Sequence, residues 1–302
     1  MILVAGSANL DFMTRVSHIP APGETVLGEK LLTTPGGKGA NQAVACAKAG
    51  GQVAFLGALG NDIFAAPLRE SLVQNGVQDQ TITVDAVTGA AFITVSNDGE
   101  NAIAVASGAN LHLEPTHLGS LTGFTHLVLQ LEIRLETVMA YALAAKRAGL
   151  KVILNAAPAQ TLPDELLGIL DVLIVNENEL TSLAGPGPLA QQLQTVSQRI
   201  PGTVLVTLGA RGSVAFTAGE WLEQCVHPVQ VRDTTGAGDT YVGVLVAALC
   251  NQYTLEQAMR FASVGSALAC TREGAQPSMP TKAEIQAEIQ AEIQSQIQGA
   301  IA

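Results

Sequence analysis

An acidic residue set among glycines at the mouth of an apolar helix is the most chemically pointed feature of this chain. Residues Asp233-Thr234-Thr235-Gly236-Ala237-Gly238-Asp239-Thr240 run straight into residues 241–250, YVGVLVAALC. Gly236, Ala237, Gly238 and Asp239 fall at the first turn of the predicted helix. Backbone N–H groups there lack intrahelical acceptors and, with the helix dipole, favour negative charge. As an ordinary first-turn carboxylate, Asp239 would add roughly 0.3–1 kcal/mol to the helix. That role leaves the two glycines unexplained, because glycine weakens a helix. A carboxylate beside an anion pocket has a second use. It takes a proton from a hydroxyl while the amides stabilise charge on the group under attack.

A second glycine-rich segment, Pro35-Gly36-Gly37-Lys38-Gly39-Ala40-Asn41-Gln42, leads into an alanine-rich helix. Its glycines let backbone approach a ligand closely, and Lys38 brings positive charge to an acidic chain. A tight loop without a ligand is the simpler reading. Neither G-x-x-x-x-G-K-[ST] nor a G-x-G-x-x-G after the first strand is present, which weakens a P-loop or dinucleotide-dehydrogenase assignment. Further polar residues stand at strand ends: Asn9 and Asp11, then Glu132, then Asn176 and Glu179, then Thr207-Leu208-Gly209-Ala210-Arg211-Gly212. Each alone is an ordinary loop residue. In open parallel sheets ligands sit beyond the carboxyl ends of the strands, so together they mark one shared cleft.

The elements that must position these residues follow from hydrophobic pattern. Strands are predicted over 2–5, 53–59, 126–131, 152–154, 172–175 and 204–208. Helices are predicted over 39–49, 64–75, 135–148, 188–199, 237–251 and 255–270. Apolar strands alternating with helices imply an α/β fold, with a parallel sheet covered on both faces and right-handed crossovers. Two segments break that rhythm. Residues 12–34 are loop-rich, with Pro20, Pro22 and Gly23; residues 88–107 alternate as a hairpin around Asn97-Asp98-Gly99. They are candidates for a small second sheet, acting as a lid or merely extending the surface. Residues 283–298, AEIQAEIQAEIQSQIQ, place isoleucine at every fourth position. A peripheral helix packing that stripe on the body is expected; a coiled-coil partner site is the alternative, with the wrong period for a long seam.

Composition narrows the function classes. The chain has 302 residues, enough for one large domain or two smaller ones, and 48% of them are apolar, ample for a sizeable core. A formal net charge of −11 argues against nucleic-acid phosphates or an acidic membrane surface as partners. Cys46, Cys225, Cys250 and Cys270 form no C-x-x-C pair, and the five histidines lack zinc-ligand spacing. The cysteines are read as buried small side chains in a reducing compartment. The N-terminus lacks the basic start of a signal peptide, so a cytoplasmic location is expected.

At this point the motifs resemble those of the PfkB (ribokinase-like) carbohydrate kinases. PGETVLG, GGKGANQAVA, LQLE, LNAAPA, NENE, TLGARG, DTTGAGDTYVG and TREGAQPS fall in that family's order, over nearly the whole chain except the terminal repeat. The resemblance implies a Rossmann-like αβα sandwich, with a central mostly parallel sheet and a small β-sheet lid built from segments near 12–34 and 88–107. Residues 283–302 form a C-terminal helix outside that pattern. It implies ATP-dependent phosphorylation of a sugar hydroxyl, giving D-ribose 5-phosphate if the sugar is D-ribose, and a homodimer formed through the lid. Another sugar or a nucleoside as acceptor, or a sugar-binding regulator without activity, are the alternatives. Carried over by position, Asp239 would be the general base and the amides of Gly236, Ala237, Gly238 and Asp239 the anion hole. Asn9, Asp11, Gly37, Lys38, Gly39, Ala40, Asn41 and Glu132 would hold the sugar. Thr207, Leu208, Gly209, Ala210, Arg211 and Gly212, with Ser263, would frame ATP, and Asn176 and Glu179 would help place Mg²⁺ and phosphate. Asp233, Thr235, Ala269, Arg272, Gly274 and Ser278 would form a K⁺ site, several of them through backbone carbonyls.

Overall fold

The computed structural model describes residues 1–97 and 100–301, and from 295 onward only helical backbone. Asp98 and Gly99 of the expected hairpin turn lie outside the described residues. A nine-stranded sheet carries the fold, in the spatial order Glu220–Gln224, Ser213–Thr217, Thr203–Thr207, Val172–Asn176, Lys151–Asn155, His126–Leu129, Ile2–Ala5, Val53–Leu56 and Gln78–Asp79. Pairing is parallel from Thr203–Thr207 onward and antiparallel for the first two strands.

The alternation of side chains along a strand sorts the core into two layers. Ile2 and Val4 face one cluster, with Val44 of helix α1 (Lys38–Lys48), Leu68 of α2 (Ala65–Gln74), Leu245 of α7 (Ala237–Cys250) and Ala262 of α8 (Leu255–Ala269). Leu3 and Ala5 face the other, with Tyr141 of α3 (Leu135–Arg147), Leu166 of α4 (Asp164–Leu167), Leu180 of α5 (Glu177–Ala184) and Leu193 of α6 (Leu189–Ser197). Each buried valine, leucine or isoleucine among them contributes about 1.5–3 kcal/mol. The first strand is therefore apolar at every position.

The predicted strand over 53–59 divides at Gly57. Val53–Leu56 stays in the large sheet, while Ala58–Gly60 pairs with Ile82–Val84 in a separate ladder. The antiparallel strands 213–217 and 220–224 escaped the sequence reading. Their turn is Ala218-Gly219, with φ 49° and 85°, the positive pair a tight hairpin needs. Residues 12–34 hold more structure than their prolines suggest. Asn9–Val16 pairs with Leu31–Gly36 and Gly89–Ser96, and Asn101–Ala106 completes a small four-stranded sheet.

Helix α9 (Lys282–Ile301) carries the four-residue repeat. Ile285 is fully buried, Ile289 packs partly against the core and Ile293 is exposed. A four-residue step on a 3.6-residue helix advances about 40° per repeat, which carries the stripe off the body. Of the cysteines only Cys46 is buried; Cys225 is exposed and Cys250 and Cys270 are half-buried, all as free thiols, which corrects the expectation of uniform burial. No helix among the described residues is long and apolar enough to cross a membrane.

Candidate active site

Helix α1 begins where the first strand ends. Gly37 caps it at φ 87°, and a Cβ there would meet Ala8 Cα and the Asn9 nitrogen at 2.7 Å, so only glycine fits. The N–H of Ala40 donates to the Ser7 carbonyl at 2.9 Å, and that of Gly39 to Ser7 Oγ at 3.3 Å. Ser7 Oγ in turn donates to Glu132 at 2.6 Å, and the Lys38 N–H reaches the same oxygen at 3.1 Å. Ser7, buried and unassigned from sequence, thus ties Glu132 to the α1 start.

Asp11 comes from the small sheet, directly across from Thr34. Its side chain is buried, and its Oδ1 has no hydrogen-bond partner among the described residues. Burial, then the nearby Glu132 and Asp239 carboxylates, push its carboxyl up to about 7. An orphaned buried oxygen is costly unless a ligand hydroxyl satisfies it. Asn9 is also buried, but its Oδ1 accepts from Asn110 at 2.7 Å, and Asn110 accepts from the Ala8 N–H at 2.9 Å. Asn110, 101 positions from Asn9, offered no local signal.

Helix α7 supplies the carboxylate. Gly236 caps it in the left-handed region at φ 73°, and a Cβ there would meet Ala275 at 3.0 Å. Of the four amides expected to form an anion hole, that of Ala237 is already spent on the Thr234 carbonyl at 3.1 Å. The amides of Gly236, Gly238 and Asp239 have no acceptor among the described residues. Asp239 accepts from Asn41 Nδ2 and from Gln42 Nε2, each at 3.0 Å. Asn41, expected on the sugar, therefore also holds the carboxylate.

A polar recess of about 170 Å³ joins Lys38, Asn155, Asn176, Glu179, Thr207 and Asp239. The Asp239 charge, reinforced against desolvation by Glu132 and Glu179, raises Lys38 above its usual value. Asn176 and Glu179 form a capping box on α5: each backbone N–H donates to the other's side chain at 2.8 Å. Burial lifts the Glu179 carboxyl, against the hydrogen bond from Asn176 and the charge of Lys38. A buried carboxylate beside an oxygen-rich recess, with one oxygen outside the capping box, suits a hard divalent cation such as Mg²⁺.

Beyond Thr207 and Gly238 the recess opens into a more apolar cleft of about 290 Å³, walled by Val226, Val229, Val231 and Tyr241 and closed by Ser263 and Cys270. Thr207, Gly209, Ala210 and Gly212 line it. Leu208 and Arg211 do not: they border a different recess beside Trp221, and Arg211 is ion-paired with Glu177 on the surface. Ser263 donates to the Cys225 carbonyl at 3.1 Å. The three valines lie outside every motif quoted from sequence, in a segment without regular structure.

The expected cation ligands gather behind Gly236. Asp233 accepts from the Thr235 N–H at 2.9 Å, its hydroxyl at 2.7 Å and the Gly274 N–H at 2.8 Å. Burial alone would raise Asp233, but these bonds outweigh it and hold it low. Ser278 donates to the Ala275 carbonyl at 2.7 Å, and Arg272 is paired with Glu284. Ala269 is buried at the end of α8. With those side chains engaged, backbone carbonyls are the natural donors left for a monovalent cation.

A family profile described as pfkB family carbohydrate kinase matches residues 1–282. The chain is 37% identical to the ribokinase of Haemophilus influenzae over 94% of its own length and 96% of that protein. It is 36% identical to that of Lactococcus lactis, over 94% and 95%. Among solved structures, ribokinase from Thermotoga maritima superposes with a TM-score of 0.90 at 34% identity, covering 96% of this chain and 99% of that one. Arabidopsis thaliana ribokinase complexed with ribose and ATP gives 0.87 at 34% identity, covering 95% and 97%. Matched from its first strand to the start of its last helix, the chain belongs to the pfkB family of carbohydrate kinases.

Proposed function

We propose that this protein is a ribokinase, transferring the terminal phosphoryl group of ATP to O5 of D-ribose to give D-ribose 5-phosphate and ADP. One observation carries the reading. A carboxylate clamped by two amides at 3.0 Å stands beside three open helix-start amides, at the junction of a polar recess and an apolar cleft. Asp239 accepts the O5 proton as the oxygen attacks phosphorus, and the Gly236, Gly238 and Asp239 amides stabilise charge on the transferring group. Phosphoryl transfer asks little more of a protein than alignment and charge neutralisation. Ribose hydroxyls satisfy Asp11 and Glu132, with Asn9 and Asn41 at their sides. Adenine occupies the valine-walled cleft.

A net charge of −11 repels ATP at long range, so compensation is local, from Lys38 and the start of α7. Mg²⁺ would be held near Glu179 and Asn176, where it neutralises phosphate charge when bound. K⁺ would sit among the carbonyls around Asp233 and Gly274 and steady the helix start. The small sheet serves as a lid. By register, Asp11, Leu32, Ile93, Ile103 and Val105 share one of its faces, and Leu32, Ile103 and Val105 are exposed in the single chain. A second copy covering that face in a homodimer would shut water from the sugar.

Purified protein should release ADP with ribose faster than with deoxyribose, fructose or any nucleoside, and the product should carry phosphorus on O5 by NMR. Faster turnover on a nucleoside would replace ribose as the substrate.

A further inference from the structure

Proton transfer to Asp239 requires its carboxylate to keep one orientation, and a buried chain of amides provides it. Asn41 Nδ2 donates to Oδ2, its own Oδ1 accepting from Gln276 Nε2 at 3.1 Å, while Gln42 Nε2 donates to Oδ1 from within the core. Gln42 is 1% exposed. Its Oε1 accepts from Gln130 Nε2 at 2.7 Å, and its Nε2 also donates to Asn155 Oδ1 at 2.9 Å. Asn155 Nδ2 donates to the Ile174 carbonyl at 3.2 Å.

The sense of this chain is forced from both ends. The Ile174 carbonyl only accepts, so Asn155 turns its nitrogen to it and its oxygen to Gln42. Gln42 must then present nitrogen to Asn155, and an ionised Asp239 requires the same. Gln130 supplies the donor that the Gln42 oxygen needs. Each amide is held in a single flip by its neighbour, and the chain is rooted in a central strand of the sheet. Amides this deep are unfavourable unless paired; of the three only Gln130 Oε1 lacks a partner, and among the described residues Asp239 is the one charged group they bond.

We infer that Gln42 is a positioning residue, which fixes the Asp239 carboxylate plane toward the reacting hydroxyl through the Gln130–Gln42–Asn155 chain. The inference rests on the reading of Asp239 as general base. Gln42→Met, nearly isosteric, removes the donor without opening a cavity. It should lower kcat about 10–100-fold, as misaligned catalytic groups do, while ribose KM and calorimetric affinity stay within about threefold. Gln130→Met leaves the donor but frees it to swing, and should give a smaller kcat loss of the same kind. In an Asp239→Asn background, Gln42→Met should change the residual rate by less than about twofold, because the carboxylate it orients is gone. Equal losses in both backgrounds, or a rise in KM that matches the fall in kcat, would assign Gln42 a merely structural role and overturn the inference. So would an unchanged kcat in Gln42→Met. If Gln42→Met does not fold, Gln130→Met decides by the same criteria. Near-normal kcat in Asp239→Asn alone would instead remove the general base, and with it the positioning role.

Discussion

The two halves of the cleft meet at Thr207 and Gly238 yet are built on opposite principles. The polar recess gathers side chains from distant segments, each held by another group: Asp239 by Asn41 and Gln42 behind it, Asn155 by Gln42, and Glu179 by Asn176. The apolar cleft is made mainly of small residues and valines with Tyr241, and Thr207, Ser263 and Ser266 turn their hydroxyls to backbone carbonyls, while Tyr241 pairs with the Ser213 hydroxyl. A buried polar group left unpaired costs roughly 1–3 kcal/mol, whereas a trimmed valine loses about 0.8 kcal/mol per methylene-sized group. The recess is therefore intolerant of change, and the cleft should tolerate it.

Substitutions can break or sharpen that contrast. The largest effect is expected for Asp239→Asn, which should lower kcat by about 10²–10⁴-fold while calorimetric ribose affinity stays within several-fold. Next comes Asp11→Asn, which should raise ribose KM roughly 10-fold or more through the replacement of one carboxyl oxygen by an amide nitrogen. This variant also has a pH signature. Burial pushes the Asp11 carboxyl up to about 7 in the folded state, from an ordinary value of 3.8. Between those values the folded chain binds the extra proton, so this group's contribution to stability falls as pH rises through that window. Asp11→Asn should gain on the wild type by a few kcal/mol between pH 4 and pH 8, read from denaturant midpoints. A parallel pH dependence in both proteins would mean that Asp11 is better solvated than its burial indicates.

In the apolar cleft, Val229→Ala should raise ATP KM roughly fivefold with kcat unchanged, the mark of lost uniform binding. The smallest effect belongs to Arg211, inside a motif but turned to Glu177 on the surface. Arg211→Ala should leave ATP KM within about twofold, since exposed ion pairs contribute little. A tenfold loss there would mean that the side chain swings into the cleft when nucleotide binds.

Much of this was legible in one dimension. Strand and helix positions follow hydrophobic period, and the predicted helices end within a few residues of those observed. What escaped was set by distant partners. Residues 9–16 form a strand because Leu31–Gly36 and Gly89–Ser96 flank them, and proline-rich neighbours hide that pairing. Gln130 and Asn155 carried a weak signal, as polar residues at the ends of apolar strands, but nothing local ties them to Asp239. Arg211, expected beside the nucleotide, turns to Glu177 on the surface, because a motif specifies backbone path more firmly than side-chain direction.

The chain alone determined the alternating architecture, the two glycine-rich helix starts and the place of the carboxylate we propose as the base, at the first turn of one of them. Those depend on short-range rules: hydrophobic period, the φ that glycine allows, and unpaired amides at a helix N-terminus. Tertiary structure decided which amides clamp that carboxylate, since Asn41 and Asp239 stand 198 positions apart. It also decided that Ala237 spends its N–H on Thr234 and that three unremarked valines wall the second cleft. Hydrogen bonds and desolvation act through space over a few ångströms, so these partnerships come into being only when the sheet brings its strand ends together.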